Sequence, residues 1–324
     1  ATNAGGTAVS DPVRSFTVAA LPTIVYDTDE NPVSHRYHLS ARVNATLSSD
    51  GGSPTTVRVR WWPTDDAGRV TLTQANFGLP INSGSAVAVD LTGLEAGVSY
   101  TYELLAENGA GVVTLATKVF TTVPKTTPLV LYAGSAETGR GDGDGAANAA
   151  GDLQALLDSA VYSGDEIRIL AGTNTLTAAL VVKNNPGLLI RGGYTGVGED
   201  RSGVTVLRRD PAGSRKMRIL EVSASTITLD SLTISDARYS YPGTFYAQGV
   251  ALLGGCDTTI TNCTFLRNGS GMSSEGDVPS YGGAIGAENG TLRVYDSTFE
   301  GNCVQGGGGN INGLGGAIGM TGTT

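Results

Sequence analysis

Three segments in the second half of the chain align with one another without gaps. They are ITLDSLTI (227–234), TTITNCTF (258–265) and LRVYDSTF (292–299), and their first residues lie 31 and 34 positions apart. A unit of this length cannot bury an apolar face alone, so each unit has to stack on its neighbours. Short strands with turns between them predict a right-handed parallel β-helix, in which each repeat forms one coil.

The repeat predicts which side chains stack, since equivalent inward positions of successive coils lie about 4.8 Å apart. Asn268 and Asn302 each follow a phenylalanine by three residues, which predicts a turn where amides hydrogen-bond between coils. Asp230, Asn262 and Asp296 are assigned to equivalent positions of another turn. The predicted inward columns are Leu229/Ile260/Val294, Leu232/Cys263/Ser297 and Ile234/Phe265/Phe299.

The residues left over in each coil fall at one place, in 237–248, 271–281 and 304–313. These loops should emerge on one side of the solenoid, where insertions often form a binding surface. Several aromatic residues lie in them and could stack on sugar rings or contact a protein partner. The candidate binding residues are Tyr239, Tyr241, Phe245, Tyr246 and Tyr281.

Gly-Gly-Ala-Ile occurs at 282–285 and returns at 315–318, and the glycines should allow a tight corner and close packing. Together with Phe-x-x-Asn, this motif resembles the repeats of chlamydial-type polymorphic outer-membrane proteins and related bacterial surface β-helix proteins. Residues 146–173 resemble the start of such helices, which implies a short amphipathic helix at about 152–161 over the first coil. The resemblance implies a secreted or surface-attached adhesive or structural protein.

The first half of the chain reads as successive strands with turn signals between them, which is typical of a β-sandwich. The stretch LTGLEAGVSYTYELLAENGAG (91–111) resembles the end of a fibronectin type III domain. In that family a leucine precedes a corner tyrosine by six residues, as Leu94 precedes Tyr100. The resemblance implies that Trp61 or Trp62 is the core aromatic residue. Ala96 stands where the family has a proline.

These patterns divide the chain into a segment at 1–21, a sandwich at 22–125 and a β-helix at 126–324, which could be truncated. Residues 13–22 and 116–125 both look like a last sandwich strand followed by a proline. Residues 13–21, with Phe16 and Val18, could therefore be an extra strand or one exchanged onto a neighbouring molecule. A plain extended linker is the alternative.

The net charge of −9 argues against nucleic-acid and anionic-lipid partners, which require a basic face. No apolar run is long enough to span a membrane. We expect no cofactor or metal. His35 and His38 lack a third ligand, and the calcium-like sequence Asp142-x-Asp144 lacks its closing glutamate, so a flexible turn is expected there. The tripeptide at 140–142 matches the integrin-type Arg-Gly-Asp, a match that often arises by chance.

The three cysteines, Cys256, Cys263 and Cys303, lack zinc spacing and are expected to be small buried residues. A Cys256–Cys263 or Cys263–Cys303 bridge is the alternative. Asn-x-Ser/Thr triplets of the solenoid fall on turns, which predicts accessible side chains at Asn262, Asn268 and Asn289.

Many parallel β-helices cleave polysaccharides, which requires paired carboxylates or a Lys/Arg base beside calcium. The repeats offer only scattered acids, at Asp230, Asp257, Asp296 and Glu300, and no histidine follows His38. The expectation is a non-enzymatic, extracellular structural or adhesive protein of a bacterial cell surface: a stalk, an adhesin passenger or a fibre subunit. Its partners would be copies of itself, joined end to end or by strand exchange, or host and matrix glycans or proteins. The alternative is a carbohydrate-binding or polysaccharide-cleaving β-helix module.

Overall fold

A computed structural model of the chain describes residues 2–3, 6–7, 18–27, 32–75, 81–213, 217–239, 249–270, 282–304 and 316–323. The chain consists of two compact units. The first contains Ala1–Ser34, Ala41–Thr92 and Ser99–Thr121, and the second contains His35–Ser40, Gly93–Val98 and Thr122–Thr324. Strands dominate both units, which confirms the all-β class. No helix in the described part is long and apolar enough to cross a membrane.

The first unit is built from antiparallel strands. Its strands are β1 (Thr2–Asn3), β2 (Gly6–Thr7), β3 (Thr23–Tyr26), β4 (Val33–Ser34), β5 (Ser40–Ser49), β6 (Thr56–Pro63), β7 (Thr71–Gln74), β8 (Ser85–Thr92), β9 (Ser99–Asn108), β10 (Gly111–Thr114) and β11 (Lys118–Thr121). One sheet has the order β10-β9-β6-β7 with β11 on β9, and another has the order β3-β5-β4 with β8 on β5. The short strands β1 and β2 pair with each other.

Alternation of apolar and polar residues creates the buried faces of these two sheets, as in Val57, Val59 and Trp61 of β6. The ring of Trp61, rather than that of Trp62, is the buried one. It packs edge-on against Tyr100 with ring centroids 5.5 Å apart. Membership of the fibronectin type III family stays a prediction.

The predicted N-terminal segment at 13–21 forms no strand within the chain over the part that the structure describes, and exchange of this segment with a neighbouring molecule stays a prediction. Residues 18–21 form no strand, and Val18 is 76% exposed. Isolated hydrogen bonds replace a ladder, since Ala20 N donates to Gly51 O and the Asn108 side chain donates to Ala20 O. Phe16 lies outside the described residues.

Short strands also build the second unit. They are β12 (Val130–Ala133), β13 (Glu166–Leu170), β14 (Gly172–Leu176), β15 (Leu180–Lys183), β16 (Leu188–Tyr194), β17 (Thr205–Arg209), β18 (Leu220–Ser223), β19 (Thr226–Asp230), β20 (Leu232–Ser235), β21 (Arg238–Tyr239), β22 (Val250–Leu253), β23 (Cys256–Thr261), β24 (Thr264–Leu266), β25 (Gly269–Ser270), β26 (Ile285–Tyr295), β27 (Thr298–Glu300), β28 (Cys303–Val304) and β29 (Ile318–Thr323). The unit is a parallel β-helix, because the ladders that join these strands are parallel. Four stacks run along it: β12-β13-β16-β19-β23-β26, β14-β17-β20-β24-β27, β15-β18-β22-β26-β29 and β21-β25-β28.

The observed strand register confirms the predicted inward columns. Leu229 pairs with Ile260 and Ile260 with Val294. Ile234, Phe265 and Phe299 form the second column, in which the two phenylalanine rings stack 5.0 Å apart. In the third column Leu232 and Cys263 are buried, and Cys263 N donates to the Ser297 hydroxyl at 3.2 Å.

The predicted asparagine ladder is also present at one corner of the coils. The Asn268 amide donates to Ile234 O (2.9 Å) and to Asn302 Oδ1 (3.0 Å), and its Oδ1 accepts from Ala237 N. Asn302 in turn donates to Phe265 O (2.8 Å). Each side chain therefore joins its own coil to the next. Asn268 is fully buried, so the expected accessible glycosylation triplet at this position is wrong.

The assignment of Asp230 to a turn is wrong by one residue. Ser231, Asn262 and Asp296 are the equivalent turn residues, each with φ between 45° and 57°. Asp230 is instead the last residue of β19, paired with Thr261 of β23. Its side chain is thereby held on the sheet.

Helix α1 (Leu153–Ser159) packs into the core of the solenoid, with Leu153, Leu156 and Leu157 buried. Asp152 caps it by accepting from Ala155 N. The Gln154 side chain donates to Val181 O (2.9 Å) and accepts from Val181 N (2.8 Å), so its amide imitates a neighbouring strand beside β15. A 3₁₀ turn at Ala146–Asn148 precedes the helix.

We expect Asn268→Asp to lower the free energy of unfolding by about 3 kcal/mol, since it removes a buried amide donor and buries a charge. Urea denaturation at neutral pH measures this change. Asn289→Asp is the matched control, because Asn289 is exposed and its positive φ suits aspartate. Equal losses in the two variants would show that the ladder adds no stability.

Candidate functional site

The aromatic loop residues that the sequence singles out cannot be assembled into a site. Tyr241, Phe245, Tyr246 and Tyr281 lie outside the described residues, and only the backbone of Tyr239 is placed, in β21. Their role in binding stays a prediction. The described part of the solenoid carries a different cluster of polar side chains.

The parallel register itself creates this cluster on the outer face of the first stack. Inward Ile167, Ile190 and Leu229 pair across β13, β16 and β19. Because side chains alternate along a strand, the residues that follow them must point outward together. Arg168 thus pairs with Arg191, which pairs with Asp230. We call the Arg–Tyr cluster the set Tyr132, Glu166, Arg168, Arg191, Tyr194, Arg201 and Asp230.

Glu166 is the first of two nearly buried carboxylates in the cluster. It accepts from the Tyr194 hydroxyl (3.0 Å) and contacts Arg168 Nε (3.2 Å) and Arg191 Nη1 (3.3 Å). Burial alone would raise the pKa of Glu166, but the hydrogen bonds from Arg168 and Tyr194 outweigh it and the pKa is lowered. Glu166 is therefore an anion at neutral pH.

Asp230 is the second carboxylate. Its Oδ2 lies 2.9 Å from Arg201 Nη1 and 3.7 Å from Arg191 Nε, and its Oδ1 accepts from the Ser231 hydroxyl (2.8 Å). Burial opposes ionisation here too, yet the hydrogen bonds from Arg201 and Ser231 lower the pKa of Asp230. The Arg191 guanidinium consequently lies between the two anions.

Two tyrosine rings hold the arginines from the side. The Arg168 guanidinium lies 5.5 Å from the centroid of the Tyr132 ring and 5.1 Å from that of the Tyr194 ring, and Arg201 lies 5.3 Å from the latter. Arg168 Nη1 also donates to the Tyr132 hydroxyl (2.7 Å) and to the exposed Glu199 (2.5 Å). These contacts orient planar guanidinium groups along one face of the sheet.

The donors of the cluster outnumber its acceptors. Three guanidinium groups share two nearly buried carboxylates, while the third acid, Glu199, has a side chain that is 74% exposed. Arg191 Nε and Arg201 Nη2 are buried and make no hydrogen bond, although Arg191 Nε keeps its ion pair with Asp230. Such groups are rare in folded proteins and require an explanation.

Neither nearly buried acid of the cluster has the raised pKa that a glycosidase's general acid requires. Hydrolysis requires one carboxylic acid that holds its proton at working pH, which demands a raised pKa. Glu166 and Asp230 both have lowered pKa values, and each is paired with arginine. Both acids thus position guanidinium groups.

The charged side chains of the Arg140-Gly141-Asp142 tripeptide form ion pairs within their own turn. Arg140 Nε lies 3.0 Å from Asp142 Oδ2, and Arg140 also pairs with Asp144. Asp142 is 2% exposed, and its carbonyl accepts from the Tyr37 hydroxyl. The Arg140 guanidinium thus neutralises both acids of this turn. Hydrogen bonds fix the turn that was expected to be flexible.

His38 and His35 do not form a metal pair. His38 is fully buried, with Nε2 3.1 Å from Asp165 Oδ1 and Nδ1 3.0 Å from Val123 O. Its ring packs edge-on against Tyr162. Within the described ranges, no group of three or more His, Cys, Asp or Glu side chains could hold a metal ion. His38 therefore serves packing and hydrogen bonding.

All three cysteines are free, so neither alternative bridge forms. Cys256 and Cys263 are buried as expected, whereas Cys303 is exposed. Burial raises the pKa of the Cys263 thiol to about 11, which keeps it protonated and unreactive at neutral pH.

No protein-family model and no curated protein matches the chain. Among solved structures, a sensor domain of the anti-sigma factor RsgI4 from Pseudobacteroides cellulosolvens is similar to part of this chain. The alignment covers 32% of this chain and 76% of the sensor domain, at 17% identity and a TM-score of 0.26. A family 28 exopolygalacturonase from Yersinia enterocolitica aligns with 88% of this chain and 65% of its own, at 13% identity and a TM-score of 0.26. Values this low carry no information about activity.

The lowered pKa of Asp230 predicts how its contribution to stability depends on pH. A carboxylate with a depressed folded-state pKa stabilises above its unfolded value, and loses that contribution as the pH falls through the folded one. Asp230→Asn should therefore lower the free energy of unfolding by about 2 kcal/mol at neutral pH. The difference in this free energy between the variant and the wild type should shrink as the pH falls below 3.8, the ordinary pKa of aspartate.

Urea denaturation between neutral pH and about pH 3 measures this gap. Asp296→Asn is the control, because Asp296 is exposed at a left-handed turn that asparagine also accepts. A gap between Asp230→Asn and wild type that persists unchanged at the lowest pH would refute the ion-pair account.

Proposed function

We propose that this chain is a non-catalytic, carbohydrate-binding β-helix module of an extracellular bacterial protein. Its binding surface is the Arg–Tyr cluster, and its ligand is an acidic polysaccharide whose sugar carboxylates contact the arginines. The observation that carries the proposal is the excess of guanidinium groups over nearly buried carboxylates: Arg168, Arg191 and Arg201 share Glu166 and Asp230, and the Arg191 and Arg201 side chains are partly exposed.

The chemistry of guanidinium favours this ligand. Arginine presents a planar fork of donors that matches a carboxylate in two parallel hydrogen bonds. The Arg191 and Arg201 side chains are 33% and 28% exposed, so a ligand reaches their outer edges without unfolding the sheet. The half-exposed Tyr132 ring beside them offers an apolar surface for a sugar ring.

A specific observation favours a structural role as the second candidate. Ladders of parallel hydrogen bonds link every coil to the next, and the asparagine pair at 268 and 302 reinforces one corner. This construction suits a stiff stalk or adhesin shaft, and the binding surface would then lie along the shaft. Assembly of copies into fibres is a separate expectation that electron microscopy at increasing concentration would test.

Arg191→Gln and Arg201→Gln should each weaken the binding of an oligogalacturonate at least about tenfold, since each removes a charge-assisted pair of hydrogen bonds. Isothermal titration calorimetry measures the affinity, and thermal melting checks that each variant folds. The fully methyl-esterified oligomer, which lacks the charges, should bind weakly to the wild type.

Arg293→Gln is the matched control, because Arg293 lies on the outer face of the same stack and pairs with the exposed Asp257. An equal loss in this variant would indicate diffuse electrostatic attraction instead of a site. No detectable binding of acidic oligosaccharides by the wild type would sink the proposal and leave the structural role.

A further inference from the structure

A cleft of about 350 Å³ opens near the start of the solenoid, on residues that the Arg–Tyr cluster does not include. Three segments form its walls: the end of β12, the start of α1, and the connection from β14 to β15. The volume lies at the small end of the range for pockets that hold small molecules. The cleft is therefore large enough for a small organic ligand.

Asn174, a polar residue in the lining of this cleft, occupies a position that is apolar in the later coils. Asn174 pairs in register with Leu207, which pairs with Ile234, so it occupies the first position of the inward column that continues to Phe265. Asn174 is 6% exposed, and its Nδ2 has no hydrogen-bond partner. A buried amide donor without an acceptor disfavours folding. A leucine here would complete the column, so the amide points to a ligand.

The lining of the cleft defines the chemistry of that ligand. The buried side chains of Leu153 and Leu180 give the floor an apolar surface around Asn174. Exposed hydroxyl groups of Ser135, Thr175 and Thr177 stand at the rim with the Asp152 carboxylate. Among the residues that the structure describes, none that lines the cleft is cationic. An anion would meet Asp152 without a counter-charge, whereas a pyranose ring has both an apolar C–H face and polar hydroxyl edges.

We infer that this cleft binds one neutral sugar residue, with the Asn174 amide donating to a ring or hydroxyl oxygen. The ring lies on the two leucines, and the rim groups contact its outer hydroxyls. The site is separate from the Arg–Tyr cluster and opposite in charge preference. A chain that uses both would hold a neutral and an acidic sugar at different places on one solenoid.

The test uses the full chain and a matched pair of probes, D-galactose and D-galacturonate, which differ only in the carboxylate. Saturation-transfer NMR and calorimetric titration should detect galactose in the wild type and equally in Arg191→Gln. The uronate should bind more weakly than galactose in Arg191→Gln, where the acidic-sugar site is weakened. D-glucose, D-mannose and N-acetyl-D-glucosamine extend the neutral panel. Asn174→Asp should weaken neutral-sugar binding about tenfold, because it replaces the donor by an acceptor. Thr173→Asp, on the same strand but outside the lining, should leave binding unchanged.

Asn174→Leu separates a binding role from a structural one. If the amide serves a ligand, this variant should lose sugar binding while its melting temperature stays the same or rises. A lower melting temperature in Asn174→Leu, together with no neutral-sugar signal in the wild type, would overturn the inference. Arg191→Gln should not change galactose binding, so failure of the cluster proposal and failure of this one are distinguishable.

Discussion

The hydrogen-bonded ladder between successive coils is the constraint on which the solenoid depends. Each strand must pair its backbone groups with the coil on either side, so one register fixes every side chain at once. The register that stacks Ile190 on Leu229 inside also sets Arg191 beside Asp230 outside. The core and the Arg–Tyr cluster are therefore two faces of one pairing, and a slip of one residue would exchange them.

At the corners of the coils, some positions require glycine, because the backbone of the next coil leaves no room for a side chain. A side chain at Gly249 would lie 2.5 Å from Ala284 O, and one at Gly283 would lie 2.4 Å from Gly316 O. Backbone passes this close only because the residues lack Cβ. At the same corner, Gly283 N donates to Gly316 O. The glycines of the Gly-Gly-Ala-Ile motif thus lie where successive coils contact each other. This agrees with the prediction that the motif allows a tight corner and close packing.

The sequence predicts the inward columns well because the three repeats align without gaps, and alignment transfers register directly. It does not predict the Arg–Tyr cluster, because Glu166, Arg168 and Arg191 lie in coils that precede those repeats. Asp230 was also assigned to the turn that Ser231 occupies. A signal does exist, since EIRIL, LLIRG and TITLD each place a charge directly after an inward Ile or Leu. Equivalent reasoning on GTNTL and TVLRR would have found Asn174 facing Leu207.

A net charge of −9 makes the location of the cationic groups informative. The long-range field of such a chain repels polyanions, and it is screened over about 10 Å at 0.1 M salt. Acidic ligands are thus not attracted by the average surface, and any that bind must do so through short-range geometry. Arg168, Arg191 and Arg201 meet that requirement, because two internal carboxylates and two tyrosine rings fix their planes before a ligand arrives. Preorganised donors lose less conformational freedom on binding than flexible surface lysines do. Recognition by this solenoid would then depend on the alignment of its coils more than on its charge.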